Sequence, residues 1–511
     1  MSKLKHWLAG LLVCALVSTL TVTPSGAVSL KFRDVPAGYW AASDIAQAVE
    51  AGLVQGETAD TFGLGHPMTR AAFTVILCRL FGWETVRPAE GTFTDVQDTG
   101  AWYYSAVETA CANGAVTLQS DRFRPNDPIT REEMAVMLIR ALGYTSMAGL
   151  DQGLSCPFTD VDSNKGYLAM AYYLGISGGT SATTFSPDQT ATREQAVAML
   201  MRVYRCCTGR SPERIGVAGS FEMANIDGCD VVVLSSARLL SNGSLAPMTM
   251  DADELAKFRT RLAEAGAKAV LRISGSKDLL RSQSALNDGA KATAKAAVDY
   301  DGILLDIEDL GSSYKAGYTS LTQKIRSLMG DGKLLYVTAD APAVDTADNG
   351  YDYKALAAAA DRLILRVDAY KKTVNGFPTG PQEPLEEIYY GLASLKGRID
   401  LSKCSLWLST TGLSWTGGKF TGSILADQIQ EMLLSPSTDI YYSRRYAEAY
   451  LTQMMPGANK NTRTVVWFHD EQAVAARVRL CAFFGVDSVC LSNLSSVADY
   501  GNYSVLRGLK R

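Results

Sequence analysis

The chain repeats itself three times, and this constrains its first two hundred residues more than any other feature. FRDVPAGYWAASDIAQAVEAGLVQG, from residue 32, returns as FTDVQDTGAWYYSAVETACANGAV from residue 93 and as FTDVDSNKGYLAMAYYLGISGG from residue 158. Each copy runs into a turn-rich segment (TFGLGHPMT, RFRPNDPIT, TFSPDQTAT) and then into an apolar stretch that follows Thr-Arg. Asp34 to Arg70 and Asp95 to Arg131 are each 36 residues apart, and Asp160 to Arg193 is 33. Such spacing marks internal repeats. Each unit parses as a helix with aromatic and small apolar positions, a Gly-marked end, a turn, and a second helix N-capped by Thr69, Thr130 or Thr192.

After RCCTGRSPER the texture changes. Short β-branched runs alternate with Ala/Leu-rich helical stretches: RIGVAGSF, DVVVLSSA, KAVLRISG, YDGILLDIE, KLLYVTAD, DRLILRVDAY, CSLWLSTTG and DSVCLSNL. Eight candidate strands separated mostly by helices predict a (β/α)8 TIM barrel. The fold class is therefore multidomain: all-α helical repeats at 28–88, 89–150 and 151–208, then an α/β barrel over 213–511.

The N-terminus, MSKLKHWLAGLLVCALVSTLTVTPSGAVS, has Lys3 and Lys5 ahead of an apolar run and Ser-Gly-Ala behind it. This is the pattern of a secretory signal peptide, residues 1–27, cleaved after Ala27, and no later stretch is apolar and long enough to span a bilayer. The expected product is exported. A net charge of -4 without a Lys/Arg run disfavours nucleic-acid binding. Of ten cysteines, nine follow the signal, an odd and scattered set that does not form a disulfide framework. Several sit in apolar helical contexts such as VILCRLF and are expected to be buried thiols. Only His66 and His469 remain after cleavage, which argues against a histidine zinc site or a Ser/His/Asp triad. His469, in VVWFHDEQ, reads as a loop or packing residue.

One strand carries chemistry. In YDGILLDIEDL, side-chain alternation puts Leu304, Asp306 and Glu308 on one face and Ile303, Leu305 and Ile307 on the other. Two carboxylates then stand side by side at the strand's C-terminal end, where barrel active sites lie. Like charges that close separate their proton affinities, one route to a general acid. An acidic, solvated loop after a strand would leave the same trace.

The repeats, with F-x-D-V, a Gly at the helix end, F-x-P and T-R, resemble the S-layer homology module. That resemblance implies anchoring to a bacterial cell wall, with Arg70, Arg131 and Arg193 contacting an anionic, pyruvylated secondary cell-wall polysaccharide. An Arg fork at a helix N-terminus suits an anion on physical grounds too. The bland alternative pairs each Arg with the Asp of its own unit, Asp34, Asp95 or Asp160. Asp160, Asp162, Asn164 and Gly166 imitate the start of a calcium loop, but Lys165 and Ala171 replace the Gly and Glu such a loop needs.

The fourth strand resembles the D-G-x-D-x-D-x-E signature of family 18 glycoside hydrolases, which include chitinases and peptidoglycan N-acetylglucosaminidases. The resemblance implies Glu308 as general acid and Asp306 as the group orienting the substrate's 2-acetamido oxygen, which itself attacks the anomeric carbon. No metal or organic cofactor is implied. Asp301, Arg366, Asp368, Tyr370 and Trp415 fall at positions expected to line the sugar site. The sequence departs from the signature at Leu304, where an acid or Asn is usual. On the sixth strand Val367 replaces the acetamido-binding Tyr, with Tyr370 a candidate substitute, and on the eighth Ser492 replaces a Trp. Arg272 and Arg366 add charge, and an inward-facing Arg366 would supply a counter-charge to Asp306. Three readings follow: a wall-anchored hydrolase of N-acetylglucosamine-containing glycans, a carbohydrate-binding barrel without turnover, or a structural surface-layer protein.

Overall fold

A computed structural model describes residues 32–118, 120–149, 154–246, 251–343, 349–367, 379–455, 462–501 and 503–510. The expected signal peptide lies outside them. Helix pairs carry the repeats: α1 (Ala42–Glu50) with α2 (Arg70–Phe81), α3 (Tyr104–Ala112) with α4 (Arg131–Ala141), and α6 (Lys165–Tyr173) with α7 (Arg193–Thr208), with a short α5 (Thr145–Ala148) between the second and third. The start signals hold: Thr69 Oγ1 accepts the Ala72 N–H, and Thr130 forms a capping box with Glu133. Gly82 closes α2 at φ 60°, a left-handed position that Gly takes without a Cβ clash.

The three units close into a ring through their turns. Met68 N–H donates to Ala191 O (2.9 Å), Ala191 N–H to Ile129 O (3.0 Å) and Ile129 N–H to Met68 O (2.8 Å). Each unit thus satisfies the exposed backbone of another, and Phe62, Phe123 and Phe185 sit buried beneath it.

The second half is a closed barrel of eight parallel strands. Its strands are β1 (Glu213–Ala218), β2 (Val231–Leu239), β3 (Lys268–Gly275), β4 (Gly302–Asp306), β5 (Leu334–Asp340), β6 (Arg362–Arg366), β7 (Cys404–Leu408) and, last in the chain, β13 (Ser488–Leu491). All eight coincide with runs picked out in the sequence. Helices α8 (Ala252–Glu264), α9 (Gln283–Ala296), α10 (Lys315–Met329), α11 (Tyr353–Ala359) and α12 (Leu385–Leu395) follow β2 to β6 in turn. Alternation fills the interior with Ile215, Val217, Val231, Val233, Val270, Leu304, Tyr336, Ile364 and Cys490, a packed plug under the mouth. Gly302 is required where β4 meets β5, since a Cβ there would lie 2.2 Å from Leu334 O.

Between β7 and β13 the chain builds something the strand count did not anticipate. A five-stranded antiparallel sheet of order β10-β11-β12-β8-β9 comprises β8 (Gly412–Thr416), β9 (Lys419–Ile424), β10 (Thr438–Ser443), β11 (Glu448–Met455) and β12 (Thr462–Phe468), with α13 (Ala426–Leu434) inserted. Helix α14 (Glu471–Phe483) then leads back into the barrel. The repeats dock against the barrel, with Lys396 Nζ donating to Tyr173 O and Tyr144 lying beside Arg479 of α14. No disulfide joins the described cysteines. No helix among the described residues is long and apolar enough to cross a membrane.

Candidate functional site

The mouth of the barrel collects charge at the C-terminal ends of β3, β4 and β6. Parity points Arg272, Asp306 and Arg366 inward together, above Leu304 and Ile364. The Asp306 side chain is fully buried, whereas that of Glu308 is 43% exposed. Arg272 donates to Asp306 Oδ2 from Nε (2.6 Å) and stands at 2.5 Å through Nη2. Arg366 Nη2 lies 2.7 Å from Oδ1 and 2.8 Å from Oδ2, and Thr338 Oγ1 donates to Oδ1 at 2.8 Å. Burial pushes the Asp306 carboxyl up, but the two guanidiniums and the Thr338 hydroxyl outweigh it and hold it below the usual carboxylate range. Burial likewise pulls Arg366 down, and Asp306 and Glu308 more than reverse this.

Arg366 also reaches Glu308, with Nη1 2.9 Å from Oε1, and its guanidinium lies 4.5 Å from the centre of the Trp407 ring on β7. Asp306 thus has its counter-charge from β3 and β6, where Leu304 offers none. Ser492 Oγ accepts the Thr410 N–H at 3.0 Å.

Two expected sugar contacts are elsewhere. Asp301 accepts the Ala269 N–H at 2.8 Å, where β3 and β4 begin. Five residues of extended chain, about 16 Å, separate it from Asp306, so it fixes strand register at the far end of the barrel. Trp415 is 0% exposed, packed 5.4 Å from Phe420 within the antiparallel sheet, and presents no face to a ligand. Asp368 and Tyr370 lie outside the described residues.

Sequence reasoning passed over Thr338 and Trp407, whose inward parity on β5 and β7 was the available signal. It also took His469 for a packing residue. His469 is buried between two carboxylates, with Nδ1 2.6 Å from Glu448 Oε1 and Nε2 3.0 Å from Glu383 Oε2. Arg477 Nη2 pairs with Glu448 at 2.8 Å, and Ser409, just past β7, donates to Glu383 from Oγ at 2.7 Å. Burial pulls the imidazole pKa down, but the glutamates raise it to about 9. The network clamps the antiparallel sheet to the barrel rim.

In the repeats, Arg70, Arg131 and Arg193 cross from one unit to another. Their Nε atoms donate to Phe123 O (2.8 Å), Phe185 O (3.0 Å) and Phe62 O (3.0 Å), with the guanidinium 4.8 to 4.9 Å from the same Phe ring each time. The Asp of each unit holds the other side of that Phe: Asp34, Asp95 and Asp160 accept the N–H of Phe62, Phe123 and Phe185 at 2.7, 2.7 and 2.8 Å. Among the described residues, none of Arg70, Arg131 and Arg193 pairs with Asp34, Asp95 or Asp160 of its own unit. Arg70 additionally pairs with Glu133 at 2.8 Å.

Comparison with known proteins matches residues 31–74, 92–135 and 157–197 to the S-layer homology domain. The chain is 28% identical over 201 residues to an S-layer protein of Bacillus thuringiensis subsp. finitimus, covering 39% of this chain and 24% of that one. It is 32% identical over 187 residues to exoglucanase XynX of Acetivibrio thermocellus, covering 35% and 17%. It therefore spans a quarter or less of the length of these relatives. The C-terminal domain of a putative chitinase from Desulfitobacterium hafniense superposes with a TM-score of 0.51 at 19% identity, covering 59% of this chain and 99% of that one. The spore cortex-lytic enzyme SleL of Bacillus megaterium gives a TM-score of 0.50 at 17% identity, covering 67% and 81%. The chain thus carries three S-layer homology domains and a barrel with the fold of chitinases and cortex-lytic enzymes.

Proposed function

We propose that this protein is a cell-surface glycoside hydrolase, held at the bacterial wall by its S-layer homology domains and acting on N-acetylglucosamine-containing glycans such as peptidoglycan or chitin. The observation that carries the reading is the pairing of Asp306 and Glu308 at the C-terminal mouth of β4, one buried and one open to solvent. Glu308 would protonate the glycosidic oxygen. Asp306 would hold the acetamido group whose oxygen attacks the anomeric carbon. In the domain division proposed, residues 28–208 anchor and 213–511 turn over glycan. The anchor takes an anionic, pyruvylated wall polysaccharide, with Arg70, Arg131 and Arg193 at its grooves.

A second reading is favoured by one specific contact. Arg366 holds Glu308 in an ion pair and, with Arg272, fastens Asp306 by both oxygens. This arrangement also fits a barrel that binds glycan without cleaving it. Incubating the purified protein with chitooligosaccharides and peptidoglycan decides between the two. Release of reducing ends that drops about 10² to 10⁴-fold in Glu308→Gln supports hydrolysis. Binding without release supports the second reading, and neither binding nor release removes both.

A further inference from the structure

We propose that the cleft between the first two repeat units and the barrel binds a sugar bearing a carboxylate or phosphate, at a site separate from the barrel mouth. The cleft has a volume of about 640 Å³ and is walled by Trp83, Arg140 and Tyr144 on one side and Tyr442, Arg444 and Arg479 on the other. Its described lining holds three arginines and no carboxylate, in a chain whose net charge is -4.

This positive charge lacks compensation where compensation matters. Arg479, half-buried on α14, has Tyr144, Cys207 and Tyr442 as its electrostatic neighbours, and among the described residues no carboxylate forms an ion pair with it. The Nε atoms of Arg140 and Arg479 are buried and donate to no protein acceptor. Arg140 is fixed by Thr117 Oγ1, at 3.0 Å from Nη1, and by the Tyr167 ring at 5.3 Å, contacts that orient a guanidinium without neutralising it. Buried cations are costly unless paired, and buried N–H donors almost always find an acceptor.

An oxyanion with two or more oxygens supplies the missing counter-charge, because the outer N–H groups of a guanidinium meet a carboxylate or phosphate through parallel hydrogen bonds. Trp83, stacked on Phe81 at 5.1 Å, adds a flat aromatic wall of the kind on which a sugar ring rests. The site is not the Thr-Arg position of the repeat: Arg131 opens α4, and Arg140 is nine residues further on, about 14 Å along the helix axis.

The whole protein is titrated by calorimetry with glucuronate, glucose 6-phosphate and glucose. None of the three carries the 2-acetamido group proposed for the barrel mouth, so failure of the hydrolase reading leaves this test intact. At least one charged sugar is expected to bind and glucose is not. Arg444→Gln, at the exposed rim, and Arg140→Gln should each weaken binding about tenfold or more, and Arg479→Gln should abolish it. If Arg479→Gln does not fold, the other two variants carry the test. Glucuronate alone assigns a carboxylate ligand and glucose 6-phosphate alone a phosphate. Binding of glucose with equal affinity, no binding by either charged sugar, or unchanged affinity in Arg444→Gln and Arg140→Gln overturns the proposal.

Discussion

Arg366 Nη1 stands 2.9 Å from Glu308 Oε1, while the Nη2 of the same guanidinium stands 2.7 Å from Asp306. One cation therefore bridges the two carboxylates that strand alternation brings to a common face. To deliver a proton, Glu308 must give up this ion pair. To turn toward a bound acetamide, Asp306 must release two guanidiniums and a hydroxyl. Hydrolysis at this site would therefore require Arg366 to move, and the first prediction measures what its bridge contributes to the fold.

Arg366→Met removes the bridge while roughly keeping the volume. It leaves buried Asp306 to Arg272 and Thr338, and breaking a buried pair in this way costs about 3 to 5 kcal/mol. Urea unfolding should register a loss of that order, largely recovered in the double variant with Asp306→Leu, because removing both charges is close to neutral. If Arg366→Met unfolds at the wild-type urea midpoint, the pair contributes nothing to the fold.

Acid sensitivity should trace to Asp306. Its folded pKa is depressed, so the stability it confers is present above the unfolded value of about 3.9 and disappears as pH falls through the lower folded value. Melting temperatures measured from pH 6 down to pH 2 should fall more steeply in wild type than in Asp306→Asn. Parallel curves would assign acid denaturation to other carboxylates.

The ring of repeats makes a separate prediction. Arg193 ties the third unit to the first through Phe62 O at 3.0 Å and Gln55 O at 2.9 Å, and its side chain is 16% exposed. Arg193→Ala should destabilise the repeats by about 1.5 to 3 kcal/mol. Arg33→Ala, on a surface pair, should cost less than about 1 kcal/mol. Sedimentation with wall sacculi then separates structure from binding: Arg193→Lys keeps the charge but not the fork. Loss of wall binding in a variant that melts like wild type would assign Arg193 to the ligand itself.

The starts of the second helix of each repeat and all eight barrel strands were legible because each rests on local signals: Thr caps, and β-branched runs between turns. The ring was not. Arg70 bonds to the carbonyl of Phe123, a partner 53 residues away, and the periodicity suggests only its own unit's Asp34. The antiparallel insertion was missed for a related reason. TDIYYS, EAYLTQMM and TRTVVWF are as strand-like as the barrel runs, but eight parallel strands already complete a barrel, and nothing local marks these three as antiparallel.

At the mouth, parity along β4 and β6 correctly brought Asp306 and Arg366 together. It could not locate Trp415, because the same alternation holds in a sheet that buries that face. Nor could it find Glu383, Glu448 and Arg477 around His469, which lie 86, 21 and 8 residues from it in the chain. Contacts of that kind leave no periodic trace.

His469 supplies the last prediction, of opposite sign to that for Asp306. Its folded pKa is raised to about 9 by Glu448 and Glu383 against the pull of burial. The unfolded value is about 6.5. The cation's stabilisation is therefore fully present below about pH 6.5 and is lost as pH rises through about 9, a change of about 3 kcal/mol. Wild-type stability in urea should decline across that window. In His469→Gln the decline should vanish, along with the stability itself at neutral pH, since Glu383 and Glu448 then keep only Arg477 as counter-charge. Because the network joins Ser409 at the rim of β7 to the sheet strand β11, alkaline loosening should begin there. Amide exchange in residues 448–455 and 462–468 should speed up between pH 7 and pH 9 after correction for intrinsic rates. Uniform exchange across the barrel in that range, or a flat stability profile in wild type, would mean that His469 is not held as a cation in the folded protein.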